Sequence, residues 1–311
     1  MQSRYDIRIV TLPAKPGSLL GLFRNFLTVL VKARGIVHIT GDCHYVAWMV
    51  PWRRSILTIH DVNYLERLQG LKERVFRVLW FSWPLECSNA VTVISPSTYE
   101  KVASLHCFLK KKITIVENCL TETAQKDISK IAPSIERLQT FWILQIGSGA
   151  HKNLSALVEA VKGTDYGIWI VGSPSDKSLS EIKSFGIPLK VEESVSEERL
   201  IEIFKGADAL YFCSLSEGFG LPIIEAQAVG LPVVTSNLSS MPWVAGDGAA
   251  LVNPHSSLEI RDAFDRIAND SNFRNDLVRK GNSNVRRFSV KEVAKKYIAI
   301  YEDVSQDKRF L

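Results

Sequence analysis

The chain is poor in the features that staple or anchor a protein. Its five cysteines, Cys43, Cys87, Cys107, Cys119 and Cys213, are odd in number, scattered, and without a C-x-x-C pair. That spacing offers neither a disulfide framework nor a zinc site and fits free thiols in a reducing compartment. The opening "MQSRYDIRIV" lacks the apolar core of a secretory leader, so a cytoplasmic location is expected. The longest apolar run, "SLLGLFRNFLTVLV", is broken by Arg24 and falls short of the roughly 20 residues that span a bilayer. Zinc-finger, RRM and KH signatures are absent, and the basic run "LKKKI" (109–113) is short, so nucleic acid is not an expected partner. Short repeats and low-complexity tracts are missing as well.

What is present is an ordinary globular composition, 46% hydrophobic and 23% charged over 311 residues, which suits two domains of about 150 residues each. The net charge of +5 is uneven. Residues 1–135 hold 18 basic and 10 acidic side chains, a balance of +8, and residues 136–311 hold 20 and 23, a balance of −3. Solvated charged faces would account for this, and so would a first half that meets an anionic surface or substrate.

Short Val- and Ile-rich runs alternate with helical patterns. Strands are predicted at 6–12, 36–40, 55–60, 90–95 and 112–117, with helices at 18–34, 66–86 and 96–107. The pattern then restarts. Strands are predicted at 140–147, 167–172, 209–214, 232–236 and 250–254, with helices near 152–162, 196–206, 222–229 and 256–269. The polar stretch 120–138 contains Pro133 and reads as a linker. This alternation predicts an α/β protein of two Rossmann-like domains with parallel sheets facing a cleft, ligands binding outside the carboxyl ends of the strands. The expected domains are 1–130 and 131–289, with a helix in 290–311 packing back toward the first domain.

One stretch carries most of the chemistry. In "SLSEGFGLPIIEAQAVGLPVVTSN" (214–237), Glu217 follows a strand and Glu225 lies about one turn into the next helix. Pro222 suits the first turn of that helix because its missing N–H would be unpaired there anyway. The amides of 218–221 are then free to point at an anion, and the helix N-terminus adds about half a positive charge. Carboxylates accept hydroxyl hydrogen bonds. Two of them flanking an anion site suit a molecule with hydroxyls at both ends and phosphate between, the layout of a sugar nucleotide. Read singly, Glu225 is a favourable first-turn acid and Glu217 a solvated loop acid.

"GSGAHKN" (147–153) also joins a strand to a helix. It lacks the G-K-[ST] of a phosphate-binding Walker loop and is a poor dinucleotide fingerprint. Gly147 and Gly149 open the turn, and Lys152 places an ammonium where the helix dipole does not favour it, so a phosphate partner is expected. "TIHDVNYL" (58–65) ends a first-half strand with His60 and Asp61. In "HITGDCHY", His38, Asp42 and His44 could suggest a metal, but strand alternation would scatter them. Asp42 and His44 remain acceptor-side candidates.

Together these segments resemble the family-4 retaining glycosyltransferases, which have the GT-B fold and an E-x7-E motif. "HITGDCHYVAWMVP" (38–51), "TIHDVNYL", "QIGSGAHKNLSALVEA" (145–160) and "TSNLSSMPWVAGDGAALVNP" (235–254) fall in that family's order across nearly the whole chain. The resemblance implies that Glu225 holds the donor ribose and Glu217 contacts the transferred sugar. The backbone of Gly218, Phe219, Gly220 and Leu221 would reach the sugar and diphosphate. Lys152 would grip the diphosphate, with Gly147 and Ser148 beside it; His151 stands where relatives carry Arg. His60, with Asp61, would lie beside the donor sugar, and Gly17 would approach the donor phosphates. No metal or other cofactor is implied.

Three departures stand out: a short first loop without the usual glycine pair, Cys119 after Asn118 where Gly is usual, and Trp243 where Glu is common. The expected function is retaining transfer of a hexose from a nucleotide-diphosphate sugar to a glycan or lipid-linked acceptor, as in polysaccharide biosynthesis. Peripheral contact with an anionic inner membrane face is a further expectation. The alternatives are a non-catalytic glycosyltransferase-like subunit and a GT-B sugar-nucleotide epimerase.

Overall fold

The computed structural model describes residues 6–15, 18–49, 54–66, 68–105, 113–121 and 140–306. Gly17 and residues 122–138 of the predicted linker lie outside the described residues. The chain divides into two compact units, one of residues 1–116 with 295–311 and the other of residues 117–294.

In the first unit, α1 (Leu19–Lys32) begins where the Ser18 hydroxyl accepts the Gly21 amide. Then come β1 (Val37–Ile39), α2 (Val46–Met49), β2 (Ser55–Ile59), α3 (Asn63–Glu66) and α4 (Gly70–Arg77). A π-helical turn, Val78–Ser82, leads into α5 (Trp83–Cys87), and β3 (Ala90–Val93), α6 (Pro96–Leu105) and β4 (Ile113–Ile115) complete the series. The four strands form a parallel sheet in the order β1-β2-β3-β4. Leu57 and Val91, paired across β2 and β3, are fully buried. Each such side chain contributes about 1.5–3 kcal/mol by leaving water, which is why these strands read as continuous apolar runs.

Two expectations fail here. Residues 6–12 form no strand: the segment has no ladder partner among the described residues, and Ile7 and Ile9 are 76% and 92% exposed. Alternation alone cannot make a strand where no neighbouring backbone accepts its hydrogen bonds. The single helix predicted over 66–86 is instead α4, the π-helical turn and α5. Pro84 has no N–H to give to the carbonyl four residues back, on Trp80. His44 Nδ1 bonds that carbonyl at 3.0 Å, and Trp48 Nε1 donates to the Leu79 carbonyl at 3.3 Å. The widened turn thus keeps its freed carbonyls paired.

The second unit contains β5 (Trp142–Ile146), α7 (Leu154–Val161), β6 (Gly167–Val171), α8 (Asp176–Ser184), β7 (Leu189–Glu192), α9 (Glu197–Gly206) and β8 (Ala209–Phe212). It continues with α10 (Leu221–Ala228), β9 (Val233–Ser236), α11 (Met241–Ala245), β10 (Ala250–Val252), α12 (Ser257–Asn269) and α13 (Ser271–Asn284). All six strands are parallel, in the order β10-β9-β8-β5-β6-β7. Ile143, Ile168, Tyr211, Val234, Phe264 and Ile267 share one core cluster. The edge strand β7 escaped the sequence reading because its "LKVE" mixes charge with apolar residues, a usual way of blunting an edge. The Lys190 ammonium of that strand lies over the Trp142 and Trp169 rings at 3.9 and 4.4 Å.

The last helix, α14 (Val290–Gln306), contributes its residues from Lys295 onward to the first unit. There the Tyr301 hydroxyl lies 2.7 Å from His38 Nδ1, and His38 Nε2 lies 2.7 Å from Thr58 Oγ1. Burial, with His60 nearby, lowers the His38 pKa to about 4, so the ring is neutral. A neutral imidazole has one donor and one acceptor nitrogen, and two hydroxyls can satisfy both.

Candidate functional site

Strand β5 neighbours β6 on one side and β8 on the other, so the chain's winding reverses between β5 and β8. The loops leaving the carboxyl ends of two such strands diverge and open a crevice. Here those loops are 147–153 after β5 and 213–220 after β8, the two stretches that the sequence marks.

The first loop is set by its backbone. Gly147 has φ +83°, and a Cβ there would meet Lys152 Cε at 3.0 Å. Asn153, itself left-handed at φ 60°, caps the start of α7 while its Nδ2 donates to the Pro254 and Cys213 carbonyls at 2.7 and 3.3 Å. Gln145 Nε2 holds the Gly147 carbonyl at 3.1 Å. The Leu215 amide donates to the His151 carbonyl at 2.8 Å and ties the two loops together.

Across that tie, Lys152 Nζ donates to Glu217 Oε1 at 2.7 Å, with both side chains mostly buried (18% and 16% exposed). The ammonium also lies 4.6 Å from the centre of the Phe212 ring. His151 Nε2 is 3.9 Å from the same carboxylate oxygen. The unfavourable placement of Lys152 near a helix start is therefore compensated in part by the motif's own acid. Two buried polar atoms at the ends of the strands that carry these loops, Gln145 Oε1 by β5 and Ser214 Oγ by β8, have no hydrogen-bond partner among the described residues. Such groups are costly unless something bonds them.

Gly220 precedes α10 with φ +115°, a conformation that L side chains rarely adopt. Pro222 sits at the second helical position. Among the described residues, the amides of Phe219, Gly220 and Leu221 have no acceptor, which leaves three donors at a helix N-terminus. The loop is held from behind. Ser240 Oγ, fully buried, donates to the Phe219 and Glu217 carbonyls at 2.6 and 3.1 Å, and Ser239 Oγ donates to the Glu217 carbonyl at 2.8 Å. The Phe219 ring is buried between Trp243 and Phe288, at centroid distances of 6.4 and 5.6 Å. Its backbone, not its side chain, is what the loop presents. Trp243, the departure from the usual Glu, belongs to this aromatic brace, capped by the Arg287 guanidinium 4.6 Å from its ring. Glu225 is partly buried on α10, and burial, with the charge of Glu197 adding, pushes its pKa up to about 7.

The second unit thus brings together Gly147, Ser148, His151, Lys152, Glu217 and Gly218–Leu221 on adjoining loops. His60 and Asp61 belong to the first unit. His60 Nε2 is 2.9 Å from the Thr40 carbonyl, and Asp61 Oδ1 accepts the Asn63 amide at 2.9 Å. His44 is buried, and that burial lowers its pKa to about 4; Asp42 is exposed. Among the described residues, no group of three or more His, Cys, Asp or Glu side chains could hold a metal ion. The reading of motifs missed Asn153, Gln145, Ser239 and Ser240. Only Asn153, a capping-type residue before a helix, carried a local signal.

Two parallel α/β units, one with this arrangement at its switch point, define a GT-B protein. A glycosyltransferase structure from Rickettsia africae superposes with TM-score 0.77 at 16% identity, covering 96% of this chain and 85% of that one. Anabaena Alr3699/HepE in complex with UDP and glucose gives 0.74 at 14% identity, covering 92% and 83%. The model of the "Glycosyl transferases group 1" family matches residues 129–284, about half of the chain, and the chain belongs to that family. A curated relative, the O-antigen chain mannosyltransferase RfbU of Salmonella typhimurium, is 25% identical over 224 residues, 69% of this chain. The chain spans 61% of that relative's length.

Proposed function

We propose that this chain transfers a hexose from a nucleotide-diphosphate sugar to a glycan or lipid-linked acceptor, with retention of configuration. The observation that carries the reading is the meeting of Lys152 and Glu217 at the β5–β8 switch point, beside three helix-start amides that have no acceptor among the described residues. Cation and amides suit a diphosphate, and Glu217 suits the hydroxyls of the sugar attached to it. Glu225, about one turn into α10, is assigned to the ribose, and Gly147 and Ser148 to the diphosphate side. His60, Asp61 and Gly17 keep the roles that the family resemblance implies.

In this reading the bond between the anomeric carbon and the phosphate oxygen breaks as the acceptor oxygen attacks the same face. The acceptor's proton passes to the departing phosphate oxygen. Catalysis comes from positioning and from stabilising charge on the leaving group, which Lys152 and the loop amides supply without a metal. The mannosyltransferase relative puts mannosyl donors first among the hexoses to test.

The test is a thermal-shift screen of UDP-, GDP- and ADP-sugars, followed by turnover with the stabilising donor. Nucleotide release that requires an acceptor supports transfer. Donor binding without turnover favours a non-catalytic subunit, and interconversion of the donor sugar alone favours an epimerase.

A further inference from the structure

Strand β5 is apolar except at Gln145, and Gln145 is buried, with 1% exposure. It lies on the same face as Ile143, two residues back, and opposite Tyr211 in the β5–β8 register. Both neighbours belong to the core cluster over that face, where an apolar side chain would be the ordinary choice. A buried amide is costly unless it is hydrogen-bonded, and its Oε1 end has no partner among the described residues. The Nε2 end has two, the Gly147 carbonyl at 3.1 Å and the Lys152 carbonyl at 3.3 Å. Carbonyls only accept, so the nitrogen must be the end that faces them. Beside it, the Tyr211 hydroxyl donates to the Asn153 carbonyl at 3.0 Å. A register pair on adjacent strands thus grips the loop 147–153 by the carbonyls at both of its ends.

Holding a carbonyl aims an amide. In a trans peptide the C=O of one residue and the N–H of the next point in opposite directions. With the Gly147 carbonyl drawn toward Gln145, the Ser148 N–H is turned away from that side chain and from the core. Other amides of the loop are paired: Gly147 donates to the Val171 carbonyl at 2.8 Å, Lys152 to Gly149 at 2.8 Å and Asn153 to Ala150 at 3.2 Å. The Ser148 amide has no acceptor among the described residues. Beside it is Gly172, where even a Cβ would touch the Gly147 and Ser148 backbone at 3.4 to 3.5 Å, so no side chain at that position covers the peptide. The same Gln145 amide holds the carbonyl of Lys152, whose ammonium reaches Glu217.

We propose that Gln145 is a positioning residue for the donor's diphosphate. It aims the Ser148 amide at a phosphate oxygen and fixes the end of the loop that bears the Lys152 ammonium. The proposal rests on the reading of this crevice as the donor site. It accounts for a buried amide with one end unpaired in an otherwise apolar strand, because a local rule of stability is broken where loop geometry serves binding.

Gln145→Met keeps the side chain's length and burial and removes its donor. The probes are UDP, GDP or ADP, as the thermal-shift screen selects, and the matching nucleoside, titrated by calorimetry. Gln145→Met should bind the diphosphate about tenfold more weakly and the nucleoside as the unaltered chain does. Lys152→Ala is titrated in parallel. Diphosphate binding weakened by Lys152→Ala but not by Gln145→Met would overturn this proposal alone. Loss in neither variant would overturn the donor-site reading and this proposal with it. Equal losses of diphosphate and nucleoside in Gln145→Met would also overturn the proposal, because a merely structural side chain would lower both alike. Should that variant fail to fold, the unaltered chain still decides. Its Ser148 amide nitrogen resonance should move on adding the diphosphate far more than on adding the nucleoside, and a resonance that moves with neither would overturn the proposal.

Discussion

The Lys152 ammonium donates to the Glu217 carboxylate at 2.7 Å, across the two loops at the β5–β8 switch point. The proposed function assigns these groups to different parts of one donor, the diphosphate and the sugar. On that assignment a diphosphate would compete with Glu217 for the ammonium and leave the carboxylate to sugar hydroxyls.

Lys152→Ala should accordingly weaken a nucleoside diphosphate far more than the bare nucleoside. An ammonium acts on phosphate charge, and the loss of one charged hydrogen bond costs about 1.5–3 kcal/mol. Calorimetric titration of the two ligands measures it. Equal losses for both would remove Lys152 from the diphosphate site.

Glu217→Gln keeps the side chain's shape and removes its charge. Turnover should fall by roughly 10²-fold or more while donor affinity holds or rises, because Glu217 would act on charge developing in the transition state and its carboxylate would no longer compete for Lys152. Steady-state kinetics paired with donor titration separates the two quantities. Near-normal turnover would leave Glu217 with only its tie to Lys152.

Much of the second unit's architecture was legible because each buried parallel strand reads as an apolar run and each loop glycine sits where the backbone turns. Gly147 and Gly220 do adopt positive φ. The E-x7-E spacing placed one acid after β8 and the other in α10 because Pro222 lies in the helix's first turn and Gly230, at φ 78°, follows its end at Ala228. What stayed hidden depends on partners distant in sequence. Ser240 is an unremarkable serine until the fold sets it under the Glu217 and Phe219 carbonyls. Trp243 looked like a departure and is a brace for Phe219. The false strand at 6–12 is the converse case, in which local pattern was present and the neighbouring backbone was not.

Ser240 yields a prediction of its own. Ser240→Ala leaves the buried Phe219 carbonyl without its donor and the Glu217 carbonyl with Ser239 alone, which should cost about 1–3 kcal/mol of stability. The loop it supports presents the amides of 219–221, so donor affinity should fall although Ser240 itself lies behind them. Thermal melting and donor titration of the same variant test both parts. A destabilised variant with unchanged affinity would show that the loop keeps its shape without this clasp.

Glu225 links pH to both stability and binding. Burial, aided by the charge of Glu197, raises its pKa from 4.5 to about 7. Well below pH 4.5 the folded and unfolded chains both hold the proton, and the group is neutral in the balance. Between about 4.5 and 7 the unfolded chain has lost a proton that the folded chain keeps, so this group's contribution to stability falls as pH rises. Above about 7 the penalty is complete, at most roughly 3 kcal/mol. A carboxylate that accepts two ribose hydroxyls must be ionised, so donor binding should release a proton near neutrality and strengthen by up to about tenfold per pH unit below 7. A nucleotide-sugar is the right ligand, since its diphosphate does not titrate there. Calorimetry in buffers of different ionisation enthalpy should show the released proton, and Glu225→Gln should abolish it. A binding heat independent of buffer at pH 6.5 would mean that Glu225 does not bear the ribose.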